Sequence, residues 1–185
     1  MKREFKGLEQ GEKLKSLFFL ITVISLSAIS DKAPHRHQDA HVHGAASLNI
    51  ALDSLDGEVE FKTASDSLLG FEHKAKTEFE QKKLKDLIAK FEAEISKMII
   101  FDPSTGCSFS KEKIGMTTQG PDHNENHSDF VADFKIRCKK TVIGTKLIID
   151  FTSFKGLRDL DIIVLAGDIQ KSAESKQKVI TIDLK

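Results

Sequence analysis

Three observations in the sequence predict an α+β fold, a mainly antiparallel β-sheet with one long helix (about residues 77–99) packed on it. Apolar and polar residues alternate along several short runs, the period-two signature of strands with one buried face. A single stretch repeats its apolar residues at three- and four-residue steps, as a helix does. The later runs follow one another at spacings too short for helical crossovers, which favours antiparallel neighbours.

The first strand is predicted between Ala45 and Asp53, where Ala46, Leu48, Ile50 and Leu52 alternate with Ser47, Asn49 and Asp53. Asp56-Gly57 reads as a hairpin turn. Val59, Phe61 and Thr63 continue as a second strand, with Glu58, Glu60 and Lys62 directed to water, and the chain leaves the sheet near Ser65. Thr77 followed by Glu80 makes a capping box, after which Leu84, Leu87, Ile88, Phe91, Ile95 and Met98 form the apolar stripe of the helix. Glu78 with Lys82 and Asp86 with Lys90 are expected ion pairs on its wet side, and Asp102-Pro103 is expected to stop it. That stripe is assigned to packing against the sheet.

Phe109 to Met116 predicts a weaker strand. The clearest one follows, with Phe130, Ala132, Phe134, Ile136 and Cys138 alternating against Val131, Asp133, Lys135 and Arg137, so that Cys138 faces inward. Further strands are expected at Lys146 to Phe151, Leu160 to Ala166 and Val179 to Leu184. The segment Gln119 to Asn126 reads as a polar loop, and no internal repeat is present.

A chain of 185 residues has room for one domain. Its start carries Lys2, Arg3, Lys6, Lys13 and Lys15, then an uncharged apolar run from Ser16 to Ser30 with small residues Ala28 and Ser30 at its end. This pattern predicts a signal peptide over residues 1–30. A membrane anchor needs roughly 20 apolar residues, and this run is shorter and punctuated by Ser25, Ser27 and Ser30. The expected mature chain, 31–185, is a single periplasmic domain with a mobile His-containing N-terminal arm (31–40) and no membrane insertion.

Lys plus Arg and Asp plus Glu both number 28, so no basic excess exists to neutralise a phosphate backbone, and nucleic acid is not an expected partner. The sequence has no Trp and no Tyr, which points away from a lectin-like surface. Export would place Cys107 and Cys138 in an oxidising compartment, where a disulfide is the default. The competing reading, a two-Cys metal site, lacks the close spacing of zinc-thiolate motifs.

Four of the seven histidines fall in the stretch HRHQDAHVH: His35, His37, His41 and His43. In an extended chain, residues two apart project to one side, so His41 and His43 can grip one ion together, and neutral imidazole is a good zinc ligand. His35 and His37 repeat the spacing in the arm. The other three are His73, in Leu69-Gly70-Phe71-Glu72-His73, and His123 and His127 in the polar loop. A four-coordinate site needs ligands from distant segments, and these are the other imidazoles available. A fortuitous polar arm is the plain alternative.

Taken together, the order of motifs resembles the ZrgA-like periplasmic zinc-binding proteins of Gram-negative bacteria. The residues that carry the resemblance are Ala40-His41-Val42-His43-Gly44, Ala46, Leu48 and Ala51-Leu52-Asp53, then Leu69 to His73, Gly106-Cys107, His127-Ser128-Asp129-Phe130, Cys138 and Gly156-Leu157. They span nearly the whole mature chain. The resemblance implies a zinc-repressed periplasmic protein that assists zinc uptake through an ABC importer, with the Cys pair bridged. In many such proteins the loop before Phe130 is a long His- and Asp-rich tract, whereas here it holds only His123 and His127 with Asp122 and Glu125, which speaks against high-capacity buffering. Lys155 stands where a Pro is common, a difference expected to touch a turn and not metal binding.

The expected function is therefore Zn(II) capture by His41, His43, His73 and His127. Glu72 serves as a carboxylate ligand or as the acceptor that orients an imidazole, with His35, His37 and His123 auxiliary. Imidazole sites also take Cu(II) and Ni(II), so ligand type alone leaves the metal open. Two other readings are a zinc-dependent hydrolase of the cell envelope, with Glu72 or Glu125 acting on a bound water, and a structural envelope domain with an incidental His arm. The hydrolase lacks any H-E-x-x-H, G-x-S-x-G or P-loop pattern, and the chain is read as a non-enzyme.

Overall fold

Alternation along the first two runs produces an antiparallel pair, β1 (Ala45–Asp53) and β2 (Asp56–Ala64), in register from Ala46 opposite Thr63 to Asp53 opposite Asp56. The computed structural model of the chain describes residues 44–118, 127–176 and 179–185, all within one compact unit. The expected signal peptide, the N-terminal arm and most of the polar loop lie outside these residues. The turn between β1 and β2 is Ser54-Leu55, with Ser54 at φ 57°, and not the expected Asp56-Gly57. Gly57 belongs to β2, and its missing side chain has another cause: a Cβ there would lie 2.4 Å from the Ala51 carbonyl oxygen.

Beyond β2 come a short helix α1 (Asp66–Leu69), the long helix α2 (Glu78–Met98), β3 (Ile99–Phe101) and a 3-10 turn (Pro103–Thr105). The strands β4 (Ser108–Thr118), β5 (Ser128–Arg137), β6 (Lys146–Asp150), β7 (Asp159–Ala166), β8 (Ile169–Ser175) and β9 (Val179–Asp183) complete the order. They form a six-stranded sheet, β4-β5-β2-β1-β7-β8, and a three-stranded sheet, β3-β6-β9. The α+β class and the mainly antiparallel pairing hold, and two features go beyond the expected sheet. One pair, β1 and β7, runs parallel with Leu48 opposite Ile162 and Ile50 opposite Val164, and the strands form a second sheet of three besides the main one. Alternation sets which face is buried but says nothing about which distant strand lies alongside.

Helix α2 is a little shorter than the expected 77–99. Thr77 is its N-cap, and the full capping box with Glu80 is present. The chain passes into β3 directly after Met98, so Asp102-Pro103 does not end the helix but starts the 3-10 turn, where the Asp102 carboxylate accepts from the Ser104 amide. The expected wet-side ion pairs also differ. Lys82 pairs with Asp86 at 2.6 Å, while Lys90 donates to the Ser153 carbonyl and lies over the Phe154 ring.

One core draws on the six-stranded sheet, α2 and the smaller sheet together. Phe91 of α2 sits at its centre, 5.1 Å from the rings of Phe61 and Phe130 and 4.8 Å from Phe154. Ring pairs at these tilted separations add to the stabilisation from burial alone. The Cys107–Cys138 disulfide lies just outside the Ser108–Arg137 pair and so ties the β4–β5 ladder at one end. Cys138 is buried, as its place in the alternation predicts. At the opposite end of that ladder lies His127.

Candidate metal centre

Two stretches that adjoin candidate ligands meet on one polar segment, Ser65 to Ser67, and a third, carrying Glu72, is bonded to one of them. Ser65 leaves β2 and its carbonyl accepts from the Leu69 amide at 2.8 Å, the first bond of α1. Gly44, the residue after His43, donates its amide to Ser67 Oγ at 2.9 Å. Ser128, the residue after His127, receives the Ser65 amide on its carbonyl at 2.9 Å, and the two serine hydroxyl oxygens are 3.0 Å apart. The Ser128 hydroxyl also donates to the backbone carbonyl of Glu72 at 2.5 Å. Gly70 at φ 76° ends α1 and turns the chain toward Glu72 and His73.

Glu72 and His127 are in direct contact through Oε2 and Nδ1. In the neutral ring, an Nδ1–H donated to a carboxylate leaves Nε2 as the lone-pair nitrogen, the arrangement in which a carboxylate orients an imidazole for a metal. Glu72 is largely buried, whereas the His127 side chain is 54% exposed, so the ring is open to an ion arriving from solvent. Two residues on from His127, the Asp129 carboxylate is buried and ion-paired with Lys62 at 2.9 Å.

His73 is held differently. Its Nδ1 lies 3.0 Å from the Lys74 carbonyl, its Nε2 lies 3.5 Å from Glu80 Oε1, and its ring stacks on Phe71. The Thr77 amide first, and then the Lys76 amide, hold the Glu80 carboxyl below its ordinary range, so it stays ionised as both helix cap and neighbour of His73.

Among the sequence-predicted ligands, the structure thus joins Glu72 with His127 and sets His73 against Glu80. Among the described residues, no three His, Cys, Asp or Glu side chains form a group able to hold a metal ion. His35, His37, His41, His43 and His123 lie outside the described residues. Sequence reasoning passed over Ser65 and Ser67 and treated Glu80 only as a cap. Buried hydroxyls carry no period or spacing that would mark them.

Residues 40–184 match the family described as ZrgA family zinc uptake protein. The chain belongs to this family. No curated protein matches it. The ZrgA match begins at Ala40 and so takes in His41 and His43 together with every described element of the fold. Membership supplies a zinc-uptake role. Among the described residues, no helix is long and apolar enough to cross a membrane.

Proposed function

We propose that the protein is exported to the periplasm and captures Zn(II) through His41, His43, His73 and His127. In this reading it hands the ion to the substrate-binding protein of an ABC importer and works as a carrier, not an enzyme. The observation that carries the reading is that Gly44 and Ser128 are both held on Ser65 to Ser67, while Ser128 in turn holds the Glu72 carbonyl. Each of these residues is itself a candidate ligand or adjoins one in sequence. The Glu72–His127 contact supports the second of the two roles expected for Glu72, that of orienting an imidazole. Recruiting His73 to the same ion exchanges its contact with Glu80 for a bond to metal. His35, His37 and His123 serve as auxiliary sites that load or release ions by exchange.

Calorimetric titration of the purified protein with zinc tests the reading. Affinity should be lost in the His41→Ala, His43→Ala double variant, and unchanged affinity there counts against the assignment. In the wild type, affinity should fall as pH drops through about 6.5, where protons compete with zinc for imidazole nitrogen.

A further inference from the structure

The described core buries few polar side chains, and two of them, Ser65 and Ser128, are hydroxyls in contact at the base of the candidate centre. A hydroxyl has one proton to give. The Glu72 carbonyl can only accept, so the Ser128 proton is committed to it and the bond between the hydroxyls must be donated by Ser65. The result is a directed chain, Ser65 O–H to Ser128 O–H to Glu72 C=O, in a water-poor setting where successive hydrogen bonds strengthen one another. It links the end of β2, the start of β5 and the loop that carries Glu72 and His73.

We propose that Ser65 and Ser128 are positioning residues for the metal centre, fixing the backbone of Glu72 relative to His127 so that carboxylate and imidazole meet in one geometry. This rests on the zinc-capture reading and adds to it the residues that set the site's shape. Neither serine touches the ion. Both act through Glu72 and His127. The proton order makes the two unequal: removing the Ser128 hydroxyl breaks both its bond to the Glu72 carbonyl and its bond to the Ser65 hydroxyl, whereas removing the Ser65 hydroxyl leaves the bond to Glu72 intact. Space exists for a conservative replacement, because Ser128 also borders an open groove of about 620 Å³ lined by Ala75, Leu84, Ile88 and Met116. A threonine at this position can direct its methyl there while keeping the hydroxyl.

The test compares wild type, Ser128→Ala, Ser65→Ala, Ser128→Thr and His127→Ala by competition with a zinc chelator, and by the visible absorption of bound Co(II), which reports ligand geometry. Loss of a group that orients a ligand typically lowers metal affinity about 10- to 100-fold. The expected order is a loss of about tenfold or more for Ser128→Ala with an altered Co(II) spectrum, a smaller loss for Ser65→Ala, and recovery in Ser128→Thr. Wild-type affinity and spectrum in Ser128→Ala, beside a clear loss in His127→Ala, overturn the positioning role and leave zinc capture standing. Absence of zinc binding by the wild type overturns both. Should Ser128→Ala fail to fold, Ser65→Ala and Ser128→Thr decide: a Ser65→Ala variant with full affinity, or a folded Ser128→Thr variant with weakened affinity, overturns the proposal.

Discussion

Gly156→Ala is the sharpest test of how the frame of the centre is held. The backbone at Gly156 lies against α1 so closely that an added Cβ would sit 1.7 Å from the Ser67 carbonyl oxygen and 2.8 Å from its carbonyl carbon. Non-bonded atoms ordinarily settle at roughly 3.5 Å, so one backbone must retreat from the other. Overpacking typically costs about 1–3 kcal/mol. Here the obstacle is backbone and not the end of a flexible side chain, which puts the expected cost at about 3 kcal/mol or more. For a domain of this size 1 kcal/mol corresponds to roughly 2–4 °C, so the melting temperature should fall by about 6–12 °C. The displaced carbonyl belongs to the residue whose hydroxyl holds the Gly44 amide, so zinc affinity should weaken as well. Thermal unfolding followed by circular dichroism, with and without zinc, measures both effects. Gly144→Ala is the control, since Gly144 has φ 87° and nothing within 4 Å of an added Cβ; its cost should be only the about 1–2 kcal/mol of a left-handed residue. A Gly156→Ala protein that melts within 2 °C of wild type (about 1 kcal/mol or less) refutes the steric argument.

Two further outcomes are expected. Replacing Cys107 and Cys138 by serine opens a covalent link between residues 31 apart, and denaturant titration should show a loss of about 3–4 kcal/mol on the chain-entropy account. Desolvation first, and the Glu60 carboxylate directly opposite next, push the Asp133 carboxyl above its ordinary value of 3.8. Such a group contributes fully below that ordinary value and loses its contribution as pH rises through the folded value. Asp133→Asn should therefore raise the melting temperature at pH 7 and give no gain near pH 3, and a fall at pH 7 would contradict the assignment.

The strands with strict alternation were legible because a half-buried strand must place every second residue inside. β1, β2, β5 and β7 each bury that set. The capping box was legible for a comparable reason, since Thr77 and Glu80 at three-residue spacing have few other uses at a helix start. β8 was not: its sequence, IQKSAES, is half-buried at best until Ser175 and lies at a sheet edge, where little packing selects apolar residues. β3 was hidden because Ile99 to Phe101 continues the apolar helix stripe without a break. The parallel β1–β7 pairing joins segments more than a hundred residues apart, and no local signal records it. At the candidate centre the imidazoles and Glu72 stood out by chemistry and spacing. The serines that tie their segments together did not, because a buried hydroxyl and an exposed one read alike in sequence.

The two ends of β5 carry different burdens, and this bears on how the protein can hold an ion and still release it. At one end, Arg137 pairs with Ser108 beside the disulfide, and the ladder with β4 runs from there through one irregularity at Lys111 to Lys113. At the other end, Ser128 and His127 take their places through hydroxyl contacts, a backbone bond and a carboxylate. The first end is covalent and backed by the core. The second is polar and open to solvent at the imidazole, so its contacts can be exchanged one at a time without unpairing the ladder. On the proposed reading, an ion could be gained or lost at His127 while Phe130, Phe134 and Ile136 stay packed. The disulfide variant should then lose stability while keeping zinc affinity at temperatures where it remains folded, whereas Ser65→Ala and Ser128→Ala should lose zinc affinity even at temperatures where they remain folded.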